Sequence, residues 1–109
     1  MAHEKYADCI SACNACADAC DHCSVACLGE SGVAELARCI RLDMDCAAIC
    51  RLAAGAMARD SECVPSFCQV CADVCDACAA ECEKHDHEHC RQCAQACRYC
   101  AKACREMAA

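Results

Sequence analysis

Cysteine occupies the positions where a helix bundle normally keeps Leu or Ile. In the stretch CISACNACADACDHCSVAC the cysteines fall at Cys9, Cys13, Cys16, Cys20, Cys23 and Cys27. The steps alternate between four and three, which is the a/d spacing of a bundle seam. The pattern returns at Cys68, Cys71, Cys75, Cys78 and Cys82, and again at Cys90, Cys93, Cys97, Cys100 and Cys104. A sparser version runs through Cys39, Cys46 and Cys50, completed by Leu36, Asp43, Ala53 and Met57.

These seams predict an all-α chain of four helices. The first spans Ala2 to about Leu28, with Gly29 as a left-handed C-cap and GESG as the turn. The second starts at Ser31 or Gly32 and runs to about Ala58, with Gly55 a minor weakness. Arg59, Asp60 and Ser61 form the next break. Pro65 suits a first helical turn and disfavours α geometry at Val64, so the third helix is expected from Pro65 to His85. Asp86 is expected to cap a fourth from His87 to about Met107. Short connections favour antiparallel neighbours, hence a single up-down-up-down four-helix bundle over residues 1–109 with a cysteine-lined core.

Composition changes the picture of that core. The chain has 109 residues, and Ala and Cys supply most of its 59% hydrophobic content; there is no Trp and only one Phe. An apolar core of such small side chains is thin. Twenty cysteines exceed ordinary usage by far. The N-terminus has neither the basic nor the apolar region of a secretory signal, and no run is long enough to cross a membrane. A cytoplasmic location is therefore expected, where thiols stay reduced and serve metals more often than disulfides. The formal net charge of −7 and the scattered Arg residues speak against a nucleic-acid partner.

Three readings of the cysteines compete. Disulfides within one helix meet the bond's geometry poorly, although bridges between helices remain open. Buried packing explains one or two thiols but not whole stripes, and Cys63, off the seam before Pro65, is the best case for it. Metal binding explains the stripes. The run typical of iron–sulfur sites is absent, and the CxxC pairs sit in mid-helix rather than at zinc-type loop knuckles. Soft thiolates favour Cu(I), which accepts two or three ligands. CxxxC pairs able to bracket such an ion occur at 9/13, 16/20, 23/27, 46/50, 71/75, 78/82, 93/97 and 100/104. Twenty crowded thiolates repel one another, and many monovalent ions bridged by sulfur neutralise them better than a few divalent ones. A zinc or mixed-metal sink is the alternative. A thiol redox role is another, though only Cys68/Cys71 and Cys90/Cys93 approach the helix N-termini where reactive thiols sit.

The motifs CIRLDMDCAAIC (39–50) and KHDHEHC (84–90), inside this cysteine pattern, resemble the bacterial cytosolic copper storage proteins over essentially the whole chain. The resemblance implies a bundle filled with multiple Cu(I) ions per chain, usually a homotetramer, and storage rather than catalysis. All twenty cysteines, with Asp43, His85 and His89, are then candidate metal ligands. Asp43 either pairs with an Arg or binds metal; His87 flanks the fourth seam; His3 and His22 lie off the seams and are expected on the surface. Asp43, His85, His87, His89, Cys27, Cys82 and Cys90 gather at one bundle end, which is expected to be hydrated and to admit copper. Tyr6, Met57, Phe67 and Met107 gather at the other, which is expected to be dry. The copper donor and recipient are not encoded in any motif.

Overall fold

The computed structural model describes residues 2–109, with side chains from Glu4 onward, so the expectation for His3 falls outside the described residues. The elements are α1 (Ala2–Lys5), α2 (Ala7–Leu28), a 3-10 turn (Val33–Leu36), α3 (Ala37–Ala58), α4 (Val64–Cys82) and α5 (Glu88–Ala108). They form an elongated molecule of 47 × 19 × 17 Å. α2 packs on α3 and α5, and α4 packs on α3 and α5, while the diagonal pairs stand further apart and meet through channel side chains such as Cys16/Cys75 and Cys46/Cys97. The space between the diagonals is the channel, and the thiols fill it. Buried alanines flank the seams, among them Ala17, Ala53, Ala72, Ala79 and Ala101, so neighbouring helices approach closely.

The expected four-helix bundle is the observed one, with four local corrections. The first helix is not continuous: at Tyr6 the backbone moves to φ −103°, ψ 5°, and the Tyr6 ring is buried in the core. The second begins with the 3-10 turn, which buries Leu36, and becomes α-helical only at Ala37. The third starts one residue before Pro65, so Val64 is both helical and buried, and it ends at Cys82 rather than His85. His87, in extended conformation, holds the N-cap position of α5 instead of Asp86, whose carboxylate accepts a hydrogen bond from Arg91.

The left-handed C-cap occurs at a different helix end from the one expected. Gly29 has φ −86°, and the chain leaves α2 through i→i−3 bonds from Gly29 N–H to the Ala26 carbonyl and from Glu30 N–H to that of Cys27. The positive φ belongs to Asp60, at 54°. There Ser61 N–H reaches the Ala56 carbonyl at 2.9 Å and Asp60 N–H that of Met57 at 3.1 Å, the bonding of a Schellman ending. Right-handed continuation after α2 has a consequence for the site, because it carries Glu30 over the channel end.

The scattered basic residues tie helix pairs together. Arg51 reaches Asp18 and Asp21 across α2 and α3; Arg98 reaches Asp76 and Glu83, and Arg105 reaches Asp76, across α4 and α5. Such half-exposed pairs each contribute at most about 1 kcal/mol. Among the described residues no helix is long and apolar enough to cross a membrane.

Candidate metal centre

Each seam delivers its sulfurs to the channel because residues three and four apart share a helix face. All cysteines are free thiols, and all except Cys63 are buried. Across helices, Sγ atoms stand 3.6 Å apart for Cys13/Cys104, Cys16/Cys97, Cys20/Cys93 and Cys46/Cys75. Along one helix the CxxxC pairs 23/27, 71/75 and 93/97 stand at 3.9 Å, and 46/50 and 100/104 at 4.0 Å. A metal–thiolate bond of roughly 2.3 Å places trigonal ligands about 4.0 Å apart and linear ones about 4.6 Å apart. The thiols therefore already stand near the edges of three-coordinate sites.

These sites are not discrete. Four-sulfur groups with all atoms within 4.8 Å of one another include Cys13/Cys71/Cys100/Cys104, Cys16/Cys46/Cys50/Cys75, Cys16/Cys20/Cys46/Cys97, Cys20/Cys78/Cys93/Cys97 and Cys23/Cys27/Cys39/Cys90. Cys16, Cys20, Cys46 and Cys97 each belong to two of these groups. Shared sulfurs suit bridging thiolates and many monovalent ions rather than closed tetrahedral zinc sites. Cys9 and Cys68 extend the lining toward the Tyr6 end, with Cys9 Sγ 3.8 Å from that of Cys104.

Asp43 lies inside the lining, without exposure to solvent. It is not paired with Arg. Cys78 donates to its Oδ1 at 3.1 Å, Cys93 at 3.3 Å and Cys82 at 3.6 Å, while Cys39 stands 3.9 Å from Oδ2. Burial, with the Cys93 and Cys78 thiols beside it, pushes its carboxyl up to about 10. It is a neutral acid at pH 7. This corrects the hydrated role expected of it at the mouth. Burial likewise pushes the Cys27 thiol up and that of Cys90 to about 11. Copper binding at Cys27 and Cys90 must therefore release their protons.

The three histidines of KHDHEHC part company in the structure. His89 points inward: its Nδ1 is 3.5 Å from Cys23 Sγ, 3.6 Å from Cys90 Sγ and 3.9 Å from Cys27 Sγ. His85 turns its Nε2 to a Glu81 carboxylate oxygen at 2.8 Å. His87 stacks on His89, with ring centroids 5.3 Å apart and planes 4° from parallel. Cys63 is not brought to the channel at all, being exposed at the N-cap of α4. At the far end Met57 and Val64 are fully buried, and Phe67 and Met107 pack half-buried against the same cluster.

Two carboxylates at this end of the channel were not singled out by the sequence. Glu81 is buried on α4 and accepts from Arg38, Lys84 and His85 at 2.7, 3.3 and 2.8 Å. Burial alone raises its carboxyl, but the hydrogen bonds from His85, Arg38 and Lys84 outweigh it and hold it at about 2. Its i, i+4 relation to His85 was a readable signal. Glu30, in the GESG turn, accepts from His89 at 2.8 Å and lies 3.2 Å from His87 Nδ1, and the His89 bond holds it below the usual carboxylate range. Nothing in its sequence spacing from His89 announces that pairing.

The sequence model of the copper storage proteins matches residues 2–109. Among solved structures, the chain is similar to the Cu(I)-bound copper storage protein BsCsp3, with 51% identity, a TM-score of 0.91 and all of both chains covered. It is also similar to a cytosolic copper storage protein from Streptomyces lividans carrying five coppers, with 46% identity, a TM-score of 0.93, and 98% of this chain and 94% of that one covered. A Bacillus subtilis cysteine-rich protein, YhjQ, is 53% identical over 72 residues, 65% of this chain and 67% of that protein. With its continuous thiol channel, this chain belongs to the copper storage protein family.

Proposed function

We propose that this protein stores Cu(I) in the cytosol, holding many ions per chain on the buried thiols of its channel. The observation that carries the reading is the sharing of sulfurs between successive four-thiol groups, which suits bridged Cu(I) along the whole axis. The ligand set is the cysteines other than Cys63, with His89 at one end and Asp43 one layer further in. His85 serves the site through Glu81 rather than as a ligand. The role proposed is containment rather than turnover, in keeping with the storage-protein family to which the chain belongs. Copper reaches the channel at the His89 end, where an imidazole nitrogen stands beside the sulfurs of Cys23, Cys27 and Cys90. The S. lividans relative is described as cytosolic, which supports that location here.

The chain is further proposed to assemble as a homotetramer. Val25, Leu28, Met44, Leu52, Val70 and Tyr99 are large and exposed, which supports a covered outer face. Sedimentation of the metal-free and loaded protein checks this.

The deciding experiment for storage is an anaerobic titration with Cu(I) against a chromophoric chelator. Uptake of roughly ten to twenty ions per chain is expected from bridging thiolates. Protons should be released alongside, since burial keeps thiols such as Cys27 and Cys90 protonated before metal binds. Saturation at one or two ions, or zinc that persists against excess copper, overturns the reading.

A further inference from the structure

His89 has two ring nitrogens and two kinds of neighbour. Nδ1 faces the sulfurs of Cys23, Cys27 and Cys90, while Nε2 lies 2.8 Å from Glu30 Oε2. An ionised carboxylate only accepts hydrogen bonds, so the hydrogen at this contact belongs to Nε2. A neutral imidazole carries one N–H, and its Nδ1 then presents a lone pair to the three sulfurs. The opposite tautomer would set two lone pairs against each other at the Glu30 contact.

Glu30 and His89 come from different turns. Glu30 follows α2 in the first connection, fixed by its own N–H to the Cys27 carbonyl at 3.1 Å. His89 is the second residue of α5, beyond the connection from α4. His87 Nδ1 also lies 3.2 Å from Glu30 Oε2, and the His87 ring stacks on that of His89. One carboxylate oxygen thus clasps the two turns together over the thiol group Cys23/Cys27/Cys39/Cys90.

We infer that Glu30 is a positioning residue for copper intake: it fixes the tautomer and orientation of His89 so that an unprotonated Nδ1 meets arriving Cu(I) beside the three outermost thiols. The inference rests on the storage reading. It is distinct from that reading because the tautomer exists before any metal binds. Carboxylates that hold the far nitrogen of a ligand imidazole in this way act on ring orientation and basicity.

The test compares Glu30→Ala and Glu30→Gln in the full chain. Long-range 1H–15N correlation of the metal-free protein reads the His89 tautomer directly. The native protein and Glu30→Gln, whose amide oxygen still accepts, should show Nε2–H with a bare Nδ1; Glu30→Ala should show a mixture. In stopped-flow loading from a Cu(I)–chelator complex, Glu30→Ala should slow the first phase by about tenfold, in the range typical of lost ligand-orienting contacts, with final capacity unchanged. Glu30→Gln should restore most of the rate. An unaltered His89 signature and loading rate in Glu30→Ala overturns the inference. So does equal slowing in both variants with the tautomer intact, since that marks a charge effect rather than positioning. Low capacity in the native protein would instead sink the storage reading, while the tautomer comparison still stands or fails on the metal-free protein.

Discussion

At one end of the channel Met57 and Val64 are fully buried beneath Tyr6, Phe67 and Met107; at the other, His89 and Glu30 lie over Cys23, Cys27 and Cys90. Both ends exclude water, since Cys27 and Cys90 are no more exposed than Cys68. The difference is in what opening costs. Moving the apolar lid exposes methionine and aromatic surface, which is unfavourable in proportion to area. Moving the polar lid exchanges hydrogen bonds within the protein for hydrogen bonds to water, which is nearly balanced. A gate therefore need not be a hole: it is the end whose closure is held by exchangeable bonds.

If that contrast is right, damage to the apolar lid should appear as lost stability. Met57→Ala should destabilise the metal-free protein by about 2–5 kcal/mol in reductant-protected urea unfolding, through the cavity it leaves. Its copper loading rate should stay native. A large change in rate with little change in stability would mean that the apolar lid is the gate.

Asp43 tests how deep the polar end extends. Its carboxyl is raised from 3.8 to about 10 in the fold, so the neutral form's contribution is complete below about pH 4 and is lost as pH rises toward 10. Asn has the same shape and cannot ionise. Asp43→Asn should therefore raise metal-free stability at pH 7 by on the order of 2 kcal/mol, and the gain should vanish near pH 4. A variant less stable than native at pH 7 would show that the carboxylate is ionised and that something pairs with it.

Glu81 gives the opposite sign. Held at about 2 against a usual 4.5, it stabilises the fold above about pH 4.5, and that support is lost as pH falls toward 2. Its Arg38 and Lys84 partners are largely exposed, so solvent screens much of the effect. Glu81→Gln should cost about 1 kcal/mol at pH 7 and nothing near pH 2. A cost independent of pH would mean that Glu81 acts through packing alone.

The seams made the fold legible, because a period between three and four fixes which residues share a face whatever packs against it. The same rule placed Leu36, Asp43 and Met57 in the core, where they are. It could not describe the turns. The chain after Gly29 continues right-handed, and that choice, made by local bonds to Ala26 and Cys27, brings Glu30 within reach of a histidine far along the chain. Asp43 was placed on the right face, but it has thiol partners in place of an Arg and is shut off from solvent instead of hydrated. A carboxylate's partner is set by the opposite helices, here Cys78 and Cys93, and not by its own.

The smallest expected effect separates two histidines that look alike in sequence. Replacing His85, His87 and His89 together with Ala should slow Cu(I) loading and chelator-driven release and leave final capacity nearly native. The geometry assigns that slowing to His89, whose Nδ1 stands over three sulfurs. His85 has its Nε2 on Glu81 and reaches the thiols only by steadying the end of α4. His89→Ala alone should therefore reproduce most of the triple variant's kinetic change, and His85→Ala should leave loading within about twofold of native, the scale of a weak ion pair away from the thiols. Parallel stopped-flow traces of the two single variants decide it. Equal slowing in both would mean that the α4–α5 turn moves as one unit during uptake. Unchanged rates in both, with altered rates in Met57→Ala and Met107→Ala, would transfer the gate to the apolar end.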